Sequence, residues 1–76
     1  MSHVEQLIQI RRQRRATVAV IQKTEAWIKA HHSTHSTALS KCVSLYIDST
    51  NRQTVPELAE IEAEAHAFLL HLQRGV

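Results

Sequence analysis

"SHVEQLIQIRRQRRATVAVIQKTEAWIKAH", Ser2 to His31, runs without a single glycine or proline. It begins as a helix begins. Ser2 is placed to accept from the free amides of a first turn, and Glu5 to reach back to the Ser2 amide. The stretch therefore predicts one long helix over about residues 2–31, spanning roughly 45 Å. Val4, Leu7, Val18, Ile21 and Ile28 trace a slowly drifting apolar stripe along it. A rod of that length outreaches the core of so small a chain unless other elements cover it.

The rest of the chain supplies two shorter helices. "SKCVSLYI" reads as a helix over about 36–48, with Leu39, Cys42, Val43, Tyr46 and Ile47 at the spacing of one buried face. "STNRQ" reads as a polar linker. "TVPE" then opens a third helix over about 55–73, with Thr54 as N-cap, Glu57 completing the box and Pro56 in the first turn. Leu58, Ile61, Ala65, Phe68 and Leu72 repeat at spacings of three and four, a coiled-coil-like seam, and Gly75 is the stop signal.

Composition points the same way. With Pro56 and Gly75 as the only proline and glycine among 76 residues, the chain lacks the turn residues that sheets require. The expected architecture is all-α and a single domain over 1–76, a long N-terminal helix with two shorter ones packed back along it. Up-down-up and broken-hairpin topologies both satisfy the pattern. Apolar residues also fall off the main stripes, at Val20 and Trp27 on the first helix, Leu45 on the second and Leu70 on the third. Three thin helices have two sides to hide, so the bundle is expected to be completed by homodimerisation, the commonest symmetric solution.

Four arginines, Arg11, Arg12, Arg14 and Arg15, interrupt the first helix. Arg14 falls within the apolar stripe and needs partners, because a buried unpaired guanidinium is prohibitively costly. Glu62, at the edge of the third helix's seam, is the expected one, in a structural ion pair. Arg11, Arg12 and Arg15 face outward. The formal net charge is only +2, yet residues 1–38 hold six Lys/Arg against two acids and residues 39–76 three against five. A basic front and an acidic back suit either a nucleic-acid face or segments that attract each other.

Several chemistries find no support. Cys42 is the only cysteine and lies in an apolar stripe, so it reads as a small buried side chain. No glycine-rich phosphate loop or nucleophile elbow is available. His31, His32 and His35 form a "HHSTH" cluster, with His31 and His35 one helical turn apart. That spacing suits zinc, but no carboxylate or cysteine accompanies it, and a solvated helix end explains it more simply. The chain is expected to be no enzyme, with no catalytic residue, cofactor or metal. The lone cysteine, the absence of a charged-then-apolar signal pattern and an apolar run no longer than "AFLL" at 67–70 predict a soluble, cytoplasmic protein without membrane contact.

The function expected is that of a small regulator or inhibitor, a dimeric protein-interaction module that occludes a protein partner. Arg11, Arg12 and Arg15 would meet an acidic surface, and Val20, Trp27 and Leu70 would make the apolar contacts. The competing expectation is a dimeric nucleic-acid binder using the same arginine cluster, although the acid-rich third helix and the lack of interleaved aromatics weigh against it.

Overall fold

The structure is a computed structural model that describes residues 2–31 and 36–75. Three helices make up the described chain, α1 (His3–His31), α2 (Ser36–Asn51) and α3 (Val55–Gln73), with no strand among the described residues. Their direction follows from which ends meet. Arg14 of α1 bonds carbonyls at Ser49 and Arg52, so α2 runs antiparallel to α1 and ends beside its fourth turn. Thr17 bonds the carbonyl of Leu58, near the start of α3, and Lys41 of α2 reaches Glu64 further along it. The topology is up-down-up, 45 Å long and 19 by 15 Å across.

The start and stop signals act as the residues suggest. The Glu5 amide donates to Ser2 Oγ at 3.2 Å, and the Glu57 amide to Thr54 Oγ1 at 3.4 Å. At α3 the Thr54 hydroxyl in turn donates to the Glu57 carboxylate at 2.7 Å, tightening the first turn around Pro56. Gly75 adopts φ 80°, the left-handed conformation that ends a helix without steric cost, and its amide returns to the Leu72 carbonyl.

The core is built on a seam of α1 that alternates steps of four and three. Ile10 and Arg14 are half-buried, while Thr17, Ile21, Thr24 and Ile28 are fully enclosed. Two of these are threonines, whose methyl groups pack while their hydroxyls return to carbonyls one turn back, at Gln13 and Val20. The apolar stripe expected from Val4 and Leu7 onward is therefore displaced. Val4 and Leu7 are exposed, and Val18 is half-buried. α3 buries Leu58, Ile61, Ala65 and Leu72 as its spacing predicts, adds Leu69, and keeps Phe68 half-buried against the core.

α2 departs most from expectation. It buries Ala38, Cys42, Leu45 and Ser49 and turns Val43, Tyr46 and Ile47 outward. Two stripes about 100° apart were available on this helix. The buried one carries three small side chains and Leu45. Leu39 stays half-buried between the two. The helix also continues three residues past Asp48, through the stretch read as linker. Ser49 and Thr50 hydroxyls donate back to the Tyr46 and Ile47 carbonyls at 2.6 and 2.7 Å, and Arg14 takes two of the last free carbonyls.

One protomer encloses Val20 and Leu45 without help and half-covers Trp27. The reasoning that these three residues demand a second copy is thereby removed. Leu70 alone of that set stays exposed.

Arg14 does not pair with Glu62. Its Nε donates to the Ser49 carbonyl at 3.1 Å and an Nη to the Arg52 carbonyl at 2.6 Å, while Glu62 accepts from Gln13 Nε2 at 3.0 Å. A helix C-terminus is a concentration of unsatisfied carbonyls with partial negative charge, and it competes with a carboxylate for the same cation. Bonds from a charged donor contribute about 1.5–3 kcal/mol each. Arg14→Ala should lower unfolding free energy by roughly 2 kcal/mol or more in urea titration, and Glu62→Ala by less than half as much, because Glu62 holds a single amide. An equal loss from both substitutions would put the anchor elsewhere.

Candidate protein-docking surface

Arg11, Arg12 and Arg15 are exposed on one face of α1 and with Ile8 line a shallow concavity. Arg15 stands one turn from both Arg11 and Arg12, which lie side by side, so the three share one patch of the helix surface. None bonds to any described group, which leaves three unneutralised guanidinium groups side by side. Lys23 continues the exposed face further along α1, without an ion pair among the described residues, whereas Lys29 is tied to Glu25 at 2.8 Å.

On another side of the bundle, Asp48, Arg52, Glu57, Glu60, Ile61 and Glu64 line a groove between α2 and α3. Arg52 meets Glu57 and Lys41 meets Glu64, each at 3.4 Å across solvent-exposed surface. Such contacts add little stability. Asp48 and Glu60 carry no ion pair among the described residues. The charge asymmetry of the two sequence halves thus becomes a spatial one, with a basic α1 face and an acidic α2–α3 groove.

Two apolar patches remain in solvent. Val43, Tyr46 and Ile47 form a stripe on α2, exposed by 54%, 47% and 51%. Val4, Leu7 and Ile8 sit in the first two turns of α1, where every residue from 3 to 9 is exposed and Gln6 and Gln9 face the turn into α3 at 53–56 across a shallow concavity. That overhang is about 10 Å of helix with no side chain enclosed. Of the apolar contacts expected from sequence, Val20 belongs to the core, Leu70 stands alone on α3, and Trp27 packs against the core with its ring stacked on His31, centroids 4.5 Å apart. The sequence reading missed Val43, Tyr46 and Ile47 as surface residues because it assigned them to the buried face.

The remaining constellations are quickly placed. His31 Nδ1 lies 3.0 Å from the Trp27 carbonyl. His32 and His35 lie outside the described residues. No group of three His, Cys, Asp or Glu side chains converges as a metal site among the described residues, and no described helix is long and apolar enough to cross a membrane. Comparison with family models, curated proteins and solved structures finds no match to this chain.

Cys42 is enclosed, and burial first, then the nearby Glu25 carboxylate, pushes its thiol above the ordinary value of 9.0. The thiolate that reacts with alkylating agents is therefore disfavoured in the fold. At pH 8 native Cys42 should be alkylated at least about tenfold more slowly than in urea-unfolded chain. The sign for stability follows from linkage. Below pH 9 the thiol is protonated in both states. Above it the unfolded chain ionises first, so stability falls as pH rises further. A Cys42→Ala variant that loses stability equally over pH 9–10.5 would show the effect to lie in other groups.

Proposed function

We propose that this chain is a small non-enzymatic protein-interaction module, a regulator that works by covering a protein surface. Its docking face is the outward stripe of α2. The observation that carries this reading is the placement of Val43, Tyr46 and Ile47 in solvent on a helix whose inward face is complete without them. Large apolar side chains grouped on one exposed helix face favour a partner that desolvates them. Tyrosine suits such a place, with an apolar ring and a hydroxyl that tolerates water. Arg11, Arg12 and Arg15 add a basic flank suited to an acidic protein surface.

A second reading rests on the three unpaired arginines themselves. A patch of guanidinium groups on one helix can follow a phosphate backbone, as in a nucleic-acid-binding regulator. The acidic groove on the same small molecule opposes that use by repelling the polyanion.

The two readings separate in one experiment. Tagged protein is used to capture partners from nuclease-treated lysate, in parallel with duplex DNA and RNA titrations across salt concentrations. The protein-binding reading expects a nuclease-resistant partner whose recovery drops at least about tenfold with Val43→Lys plus Ile47→Glu, circular dichroism being unchanged. Tight, steeply salt-dependent nucleic-acid binding, weakened by Arg12→Ala plus Arg15→Ala and indifferent to the α2 substitutions, would overturn it in favour of the second.

A further inference from the structure

We propose that the α2 stripe is occupied by the first two turns of α1 from a second copy of this chain, the contact being made twice across a two-fold axis. The inference rests on the reading of that stripe as a protein-docking surface, and it names the partner.

Four observations converge on it. The overhang of α1 carries Val4, Leu7 and Ile8 exposed to solvent, while Gln6 and Gln9 on the same turns face the turn into α3. Helical turns with little tertiary packing are marginal in water, so such a segment gains most from a neighbour. The overhang and the stripe also match in length. Val4 to Ile8 on one helix and Val43 to Ile47 on the other each rise about 6 Å.

Their positions allow the exchange to be mutual. Arg14 at the Ser49 carbonyl puts the C-terminal end of α2 beside the fourth turn of α1, so the stripe ends close to where the overhang begins. Two copies overlapped antiparallel at this end therefore bring each overhang alongside the other's α2. The two helices in contact then run parallel, Val4 toward Val43 and Ile8 toward Ile47.

Charge completes the match. Past the overhang's apolar residues stand Arg11 and Arg12, and immediately past Ile47 stands Asp48, all three exposed and without an ion pair among the described residues. The same register that pairs the apolar residues carries the basic flank of one copy to the acidic groove of the other. Self-complementary patches of this kind define an isologous interface, closed at two subunits.

Full-length protein is tested by sedimentation over low to high micromolar concentration and at two salt concentrations. Expected is a reversible dimer that weakens with added salt. Ile8→Glu and Ile47→Lys should each weaken it at least about tenfold, with helicity retained because both side chains already face water. The decisive measurement mixes these two variants in equal amounts. One contact of the mixed pair is then wild-type, and the other joins the introduced carboxylate to the introduced amine, so dimers should return. Arg12→Glu mixed with Asp48→Arg supplies an independent pair at the charged end. A wild-type monomer at every concentration overturns the inference, as does a dimer indifferent to both Ile8→Glu and Ile47→Lys, or a mixture no more associated than its components. If wild type is monomeric while capture of another protein still depends on Ile47 and not on Ile8, self-association fails and the docking surface itself stands.

Discussion

The placement of α2 along the bundle depends on Arg14. α2 is joined to its neighbours near the bottom of the bundle by one guanidinium that reaches two carbonyls at its C-terminal end, Ser49 and Arg52. These bonds satisfy acceptors that would otherwise be half-desolvated beside the core. They also set the height of α2 along α1, and through the short turn at 52–54 they set where α3 begins. Thr17, one turn above, holds the start of α3 through the Leu58 carbonyl at 2.8 Å. Two polar side chains on adjacent turns of α1 thus fix the register of both partner helices. Arginine suits the task better than lysine would, because its planar fork addresses two separated acceptors while remaining charged when half-buried.

The polar content of the core explains why the architecture was readable from the sequence while the buried faces were not. Helix number, order and approximate bounds follow from turn residues and caps, Ser2, Thr54, Pro56 and Gly75, which act locally and need no tertiary knowledge. The face of each helix does not. Thr17, Thr24 and Ser49 are enclosed yet count as polar in any hydrophobic pattern. Each hides its hydroxyl by bonding a carbonyl of its own helix, so the residue presents mostly carbon to its neighbours. Reading only aliphatic residues shifts the α1 stripe toward Val4 and Leu7 and the α2 stripe toward Val43 and Ile47.

The candidate site was legible only in its charges. Arg11, Arg12 and Arg15 are exposed as their position in the helical wheel requires, and Arg14 is set apart from them as expected, although with carbonyl rather than carboxylate partners. The apolar half of the site was hidden by the same error that misplaced the core. Aliphatic spacing puts Val20 and Leu45 on surplus surface, and they are core; it puts Val43, Tyr46 and Ile47 in the core, and they are surface. Correcting one helix face exchanges both sets at once, because stripes on a helix rotate together.

That exchange bears on function. A helix under no demand beyond bundle stability would place its large apolar residues inward and its small polar ones outward. α2 departs from that in part: Leu45 lies inside with Ala38, Cys42 and Ser49, while Val43, Tyr46 and Ile47 lie outside among Ser40, Ser44 and Asp48. The inward choice places Cys42 and Leu45 in the shared core and Ser49 at the carbonyl that Arg14 holds. The outward choice has no such account, since serine or lysine there would serve an isolated protomer better by keeping apolar area out of water. The overhang of α1 poses the same question, and in neither case does packing within the protomer answer it. Two unexplained apolar patches, each flanked by charge of opposite sign, are accounted for together by a single contact in which each covers the other. That economy is the reason to prefer a second copy as the occupant over two unrelated partners.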